Sequence, residues 1–267
     1  MDNAYVPWTG DRKAHRARMK YFVASGAKRS LLSKWTFAIL IIPFMLIVVP
    51  SVINAFFQSS YPAPLDYYML YEEPGIFILL LAALLGSGVF ASDISQKSHI
   101  LLYVHGLTKG GYIVGRLSSF FISFLSMTLL PITVVFIVSL ASGSGSTGLT
   151  GGIADFVRAA AAMLFMTLYL CLLTAALSCV SGDRKYAGAG LIAIYYISMI
   201  LSEVLYEISG SDLVMLISIK GNMDAAVSWA MGISSSLPGK ALFALVVVMA
   251  LCIVTIYYRL MGKEAAI

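Results

Sequence analysis

The sequence predicts an all-α membrane protein with six transmembrane helices, an N-terminal interfacial elbow helix and short outer helices between the fifth and sixth spans. Hydrophobic residues make up 60% of the 267 residues and charged residues only 12%, whereas about 25% of the residues in a soluble domain are charged. The mean hydropathy is +0.89. Too few charged side chains are therefore present to cover a water-facing surface, which excludes a soluble enzyme or binding domain.

Six apolar segments are long enough to cross a bilayer, which requires about 20 helical residues. The first is too long for the apolar region of a signal peptide and lacks a small-residue cleavage motif, so we expect it to remain as an anchor. The predicted spans are Thr36–Phe57, Gly75–Ala91, Leu117–Ala141, Phe156–Val180, Ala187–Leu205 and Ala241–Met261, followed by a tail at 262–267.

The N-terminal arm, residues 1–35, is basic with interleaved apolar residues. Its apolar positions do not form one continuous helical stripe, and Ser25 and Gly26 interrupt them. Two interpretations fit this pattern: a solvated arm held by anionic lipid headgroups, or a broken helix that lies in the membrane interface as an elbow. The second is favoured because Lys34 and Trp35 stand where interfacial anchors occur.

Lysine and arginine residues predict the orientation, because they concentrate in cytoplasmic connections. With a cytoplasmic N-terminus, fifteen of the eighteen lie inside, eight of them in the arm, and only Arg158, Lys220 and Lys240 lie outside. This distribution predicts a multi-pass protein of the plasma membrane with both termini in the cytoplasm.

The outer connection 206–240 contains two apolar pieces, Leu213–Ile219 and Ala225–Gly232. Each is too short to span a membrane. Ser211 and Asp212 precede the first piece, and Asn222 and Asp224 precede the second. Residues of these types favour the N-termini of helices. We therefore predict two short helices at the outer surface.

Motifs for nucleotide, metal or catalytic chemistry are missing from the sequence. GSGSTG at 143–148 matches a dinucleotide-binding pattern but follows a span instead of a strand, and GGYIVGRL at 110–117 lacks the Lys-Ser/Thr pair of a P-loop. The histidines and cysteines lack metal-ligand spacing. We expect no catalytic, cofactor-binding or metal-binding residue, no ATPase activity of the isolated chain and no nucleic-acid partner. Glu203, near the outer end of the fifth span, is expected to line an outer vestibule.

The segment LLYVHGLTKGGYIVGR, residues 101–116, is a basic stretch between two apolar spans, and its glycines at 106, 110, 111 and 115 predict a loop with helix breaks at these positions. Residues 92–121 resemble the first cytoplasmic loop of ABC-2 type permeases, the membrane subunits of one class of ATP-binding cassette exporter. In that family an acidic residue stands at the end of the second span. It is followed by a short helix, a small turn, an aromatic residue and a Gly-[KR] pair at the start of the third span. Here the matching residues are Asp93, the turn Leu107-Thr108-Lys109, Tyr112 and Gly115-Arg116, with Gly106 in place of the usual proline.

The resemblance implies a homodimeric permease around a central pathway, with two copies of a separate ATPase subunit that hold ATP and Mg²⁺. It also implies that 93–116 is a coupling segment containing a short helix, Ile100–His105. The residues expected to dock or couple the ATPase are Asp93, Lys97, His99, Leu102, His105, Gly106, Lys109, Tyr112 and Arg116. A smaller contact is expected from Asp183, Arg184 and Lys185 between the fourth and fifth spans.

Two functions from other classes fit the same topology. One is a membrane scaffold or assembly subunit without transport of its own, whose basic loops only follow the positive-inside rule. The other is a secondary transporter or channel, which the lack of ionisable residues at mid-span disfavours. An ATPase bound in fixed stoichiometry distinguishes the permease from both.

Single cysteines at Lys109 and Ser146, in a chain whose three native cysteines are replaced, are expected to label oppositely with a membrane-impermeant thiol reagent. Position 146 should react in intact cells, and position 109 only after permeabilisation, because the predicted connections lie on opposite sides of the bilayer. Labelling of position 109 in intact cells would contradict the topology.

Overall fold

The computed structural model of the protein describes residues 15–32, 75–96, 108–142, 148–230 and 238–262, and the single positions 38, 41, 45, 49, 53 and 232. Within these residues there is no strand. In chain order the helices are α1 (His15–Leu31), α2 (Gly75–Gly86), α3 (Ala91–Ser95), α4 (Lys109–Ser142), α5 (Gly148–Ser181), α6 (Arg184–Ser209), a 3₁₀ helix (Asp212–Ile217), α7 (Ile219–Ala230) and α8 (Pro238–Gly262).

The chain is an all-helical, multi-pass membrane protein. In the described parts of the chain, five segments are long and apolar enough to cross a membrane: Ile78–Ser95, Lys109–Val138, Gly152–Ser181, Arg184–Ser209 and Gly239–Leu260. The predicted first span, Thr36–Phe57, lies outside the described residues except at 38, 41, 45, 49 and 53, each of which is helical. The total of six spans and the interfacial location of the elbow stay predictions.

Helix α5 forms the centre of the bundle and packs against α2, α4, α6, α7 and α8. Its spanning part is 72% buried, against 11% for α6 and 22% for α8, whose exposed apolar side chains suit contact with lipid. Polar groups in this core find nearby acceptors: the Thr167 hydroxyl donates to the Met163 carbonyl at 2.6 Å and lies 3.2 Å from the Thr128 hydroxyl on α4. Such bonds satisfy hydroxyl groups that lipid cannot.

Helix α1 is continuous through Ser25 and Gly26, so the predicted interruption is wrong. Gly26 marks a close approach of α1 to α4, because a Cβ atom there would collide with the Ser119 hydroxyl oxygen. One turn further along α4, the Ser123 hydroxyl donates to the Ser119 carbonyl at 2.9 Å and lies 3.4 Å from the Ala27 carbonyl of α1. The glycine thus permits helix packing here, as small residues do between membrane helices, instead of ending the helix.

Helix α4 begins at Lys109, eight residues before the predicted start of the third span at Leu117. Thr108 caps it, with its hydroxyl oxygen accepting from the Gly111 amide at 3.1 Å. The glycines at 110, 111 and 115 lie inside the helix, so the predicted glycine breaks there are wrong. Each glycine disfavours a helix by about 1 kcal/mol relative to alanine, and the cap together with tertiary contacts at the next two turns offsets this cost.

The second span is interrupted, whereas the sequence predicted a continuous helix over Gly75–Ala91. Helix α2 ends at Gly86, residues 87–90 form a turn, and α3 follows. Ser178 of α5 holds this turn, since its hydroxyl accepts from the amides of Phe90 at 3.1 Å and Ala91 at 2.9 Å and donates to the Ser87 carbonyl at 2.9 Å. Backbone groups freed by a break at membrane depth require such partners.

The remaining helices extend beyond their predicted bounds. Helix α5 starts at Gly148, not 156, and α6 covers 184–209, not 187–205. Two short helices do connect α6 to α8, as predicted, but the second begins at Ile219, before the expected start at Asn222. Predicted spans marked only the most apolar part of each helix, and polar turns extend it at both ends.

Candidate coupling site

Three of the predicted coupling residues meet in one buried cluster, at the two ends of the connection 97–107. Asp93 lies on α3, and Tyr112 and Arg116 lie one turn apart on α4. The Tyr112 hydroxyl donates to Asp93 Oδ2 at 2.6 Å. Arg116 donates from Nε to Oδ2 at 2.8 Å and from Nη2 to Oδ1 at 2.7 Å. We call this group of three residues the clamp.

The clamp must offset the free-energy cost of removing the Asp93 carboxylate from water. Asp93 is 5% exposed and Tyr112 is 1% exposed, while the Arg116 side chain retains 30% exposure. Removing a carboxylate from water costs several kcal/mol unless an opposite charge and hydrogen bonds replace the solvent. The two parallel N–H bonds from one guanidinium supply both, in the geometry that makes arginine–carboxylate pairs strong. Helices α3 and α4 therefore cannot separate without exposing or orphaning a charge.

Helix α1 contributes an aromatic wall to the clamp. The Phe22 ring centroid lies 5.5 Å from Arg116 Cζ and 6.4 Å from the Tyr112 ring centroid, within the range of cation–π attraction for the first contact. Gly115 admits this ring, because a Cβ atom there would lie 2.7 Å from Phe22 Cδ1. The Gly115-Arg116 pair thus has two physical roles, space for α1 and charge for Asp93.

Contacts of the clamp link both ends of the connection 97–107 to several helices of the bundle. Asp93 follows the turn at 87–90, which Ser178 bonds to the central helix α5. Phe90, the last residue of this turn, also packs against Tyr112, with ring centroids 6.0 Å apart in an edge-on arrangement. The two ends of the connection are therefore joined to each other by the clamp, to α1 by Phe22 and to α5 by the hydrogen bonds of Ser178.

The other predicted coupling residues fall in two groups. Lys109 is the first residue of α4, so it belongs to a helix and not to the predicted turn. The remaining five lie outside the described residues, and their roles stay predictions: Lys97, His99, Leu102, His105 and Gly106.

The predicted second contact, Asp183 to Lys185, forms the start of α6 and not a free loop. Asp183 is the N-cap, and its side chain accepts from the Lys185 amide at 3.0 Å. Arg184 reaches across to α2, where its Nη2 atom donates to the Leu84 carbonyl at 3.2 Å. This bond gives Arg184 a structural role at the interrupted second span, beside any contact with a partner.

Glu203 lies on the exposed side of α6, at the end of the bundle opposite the clamp. It lines a cavity of about 380 Å³ between α6, the 3₁₀ helix and α7, together with Glu207, Lys220 and Asp224. The predicted vestibule residue thus faces a cavity, and a role in transport stays a prediction.

Sequence reasoning missed Phe22 and Ser178, which hold the clamp from α1 and α5. For Ser178 a signal exists: GSG at 86–88 lies inside an apolar run, and such a stretch indicates a break whose backbone groups need a polar partner. Phe22 has no such signal, because one aromatic among the apolar residues of the arm does not indicate which helix it meets.

No protein-family model matches this chain, and neither does any curated protein. No group of three or more potential metal ligands occurs within the described parts of the chain. The functional interpretation therefore depends on the clamp and the connection that it closes.

Replacing Asp93 with Asn is expected to lower the free energy of unfolding by about 2–4 kcal/mol, because it leaves the half-buried Arg116 without its counter-charge. The matched control is Asp155→Asn, which breaks the exposed pair with Arg158 at 3.4 Å and should cost about 0–1 kcal/mol. Thermal unfolding of the purified full chains measures both. Equal losses for the two variants would contradict a structural role for the clamp.

Proposed function

We propose that the chain is the permease subunit of an ATP-binding cassette exporter of the ABC-2 type, in which the connection 97–107 receives a separate ATPase subunit. The single observation that carries this proposal is the clamp. Asp93, Tyr112 and Arg116 are three of the positions at which the sequence resembles the family on either side of the connection, and they contact one another.

The clamp gives the proposed coupling a physical basis. An ATPase can bias a transporter only through contacts that differ between two conformations. A flexible connection would absorb the movement of a bound partner, whereas a connection with joined ends moves α3 and α4 as one unit. The interrupted second span adds a bend at 87–90 where such a movement can begin.

The same contacts favour a permease over the scaffold alternative. A scaffold needs an exposed docking surface but no bonded route from that surface into the bundle. Here a charged residue, a buried tyrosine and the polar contacts of Ser178 form such a route, from the connection to α5. Polar groups are expensive within a membrane and tend to mark function.

Purification of the full chain from its native membrane is expected to recover an ATPase with a P-loop in fixed stoichiometry. Leu102→Pro should abolish this association while the permease inserts and pairs normally, because proline costs about 3 kcal/mol or more inside a helix. The control is Ser146→Pro, in the connection predicted on the opposite side, which should retain the ATPase. Quantitative mass spectrometry of the purified material measures the ratio of the two chains.

A second variant separates docking from coupling. Tyr112→Phe keeps the ring and removes only the hydroxyl bond to Asp93, so the ATPase should bind while substrate-stimulated ATP hydrolysis decreases. Wild-type association in Leu102→Pro, or the recovery of no ATPase at all, would overturn the proposed function in favour of the scaffold.

A further inference from the structure

A polar cavity of about 500 Å³ lies beside the clamp, between α1, α2, α3, α4 and the first turn of α6. Three arginines from three different helices line it: Arg29 of α1, Arg116 of α4 and Arg184 of α6. Asp93 is the one acidic residue among its described lining residues, so the formal net charge is +2. Cationic side chains from separate elements converge here, although like charges repel.

The charge that remains available belongs to Arg29 and Arg184, because Asp93 neutralises Arg116. Arg184 uses one N–H for the Leu84 carbonyl, and a guanidinium has five N–H donors. The Arg29 side chain forms no hydrogen bond or ion pair with any described residue. Ser30 and Gln96 add further polar groups to the wall. The cavity thus presents donors in excess of the acceptors that its own walls supply.

We propose that this cavity binds a phosphate group, carried by the headgroup of an anionic phospholipid. Planar guanidinium groups match the oxygens of phosphate in paired hydrogen bonds. The cavity lies at the end of the bundle where the basic residues of α1 and α6 gather, which the positive-inside rule assigns to the cytoplasmic leaflet. That leaflet carries the negative lipids. The assignment does not depend on an ATPase partner.

A bound phosphate would join α1 to α6 across the interrupted second span. It would relieve the repulsion between Arg29 and Arg184 and hold α1 against the clamp. Anionic lipid is therefore expected to stabilise the folded protein more than a lipid whose headgroup is neutral overall.

The test uses the delipidated full chain in a neutral detergent, titrated with phosphatidylglycerol, phosphatidylcholine or inorganic phosphate. Native mass spectrometry measures bound lipid, and thermal unfolding measures stabilisation. We expect retained phosphatidylglycerol and a higher unfolding temperature than with phosphatidylcholine. The difference should decrease at high ionic strength, because salt screens partly exposed charges.

Neighbouring residues provide matched controls. Arg29→Gln and Arg184→Gln should each weaken phosphatidylglycerol binding about ten- to a hundredfold, the effect of losing one charge-assisted bond. Lys28→Gln and Lys185→Gln remove the same charge from the adjacent, exposed positions outside the cavity and should stay near wild type. The Arg29 side chain has no hydrogen bond to a described residue, so its variant is expected to fold even where Arg184→Gln does not.

Three results decide the proposal. Selective binding of phosphatidylglycerol that only the arginine variants lose supports the lipid site. Displacement of phosphatidylglycerol by millimolar inorganic phosphate supports the phosphate site and assigns it to a soluble anion. Equal binding of both lipids by the wild-type chain, or equal losses in the lysine controls, overturns it.

Discussion

The bidentate pair between Asp93 and Arg116 is the contact on which the arrangement of this bundle depends. A carboxylate that is 5% exposed requires partners that replace its hydration, and an arginine and a tyrosine provide them here. For Asp93 to contact both residues, α3 must lie beside the first turns of α4. Helix α1 must also approach closely enough for Phe22 to cover the guanidinium. The glycines at 26 and 115 follow from that requirement, because a side chain at either would displace α1 from α4.

The interrupted second span and the arginine-lined cavity are consequences of the same geometry. The turn at 87–90 places Asp93 beside the first turns of α4. Ser178 and Arg184, from two other helices, form hydrogen bonds with backbone groups around this turn. Arg184 and Arg116 then face one space, with Arg29 of α1 on its third side. This end of the bundle combines the clamp, a turn and a cationic cavity within a few helical turns.

The sequence predicted the all-helical membrane fold, because composition and the length of apolar runs are local properties that lipid enforces on any chain. A family resemblance singled out Asp93, Tyr112 and Arg116 as coupling residues, but it did not predict that their side chains contact one another. Sequence reasoning failed where a tertiary contact overrides a local preference. Glycines at 110, 111 and 115 indicated a broken loop, yet the cap at Thr108 and the clamp hold a helix. Phe22 and Ser178 act through partners more than 80 residues away, which no local pattern contains.

A double-mutant cycle on Asp93 and Arg116 tests the central claim most directly. Thermal unfolding of the full chain is compared for Asp93→Asn, Arg116→Gln and the double variant. If the two side chains act as one unit, the double variant loses less stability than the sum of the single losses, with a coupling of about 1–3 kcal/mol. Losses that add to within about 0.5 kcal/mol would show that the residues act independently, and the clamp would then not be the junction on which the bundle depends.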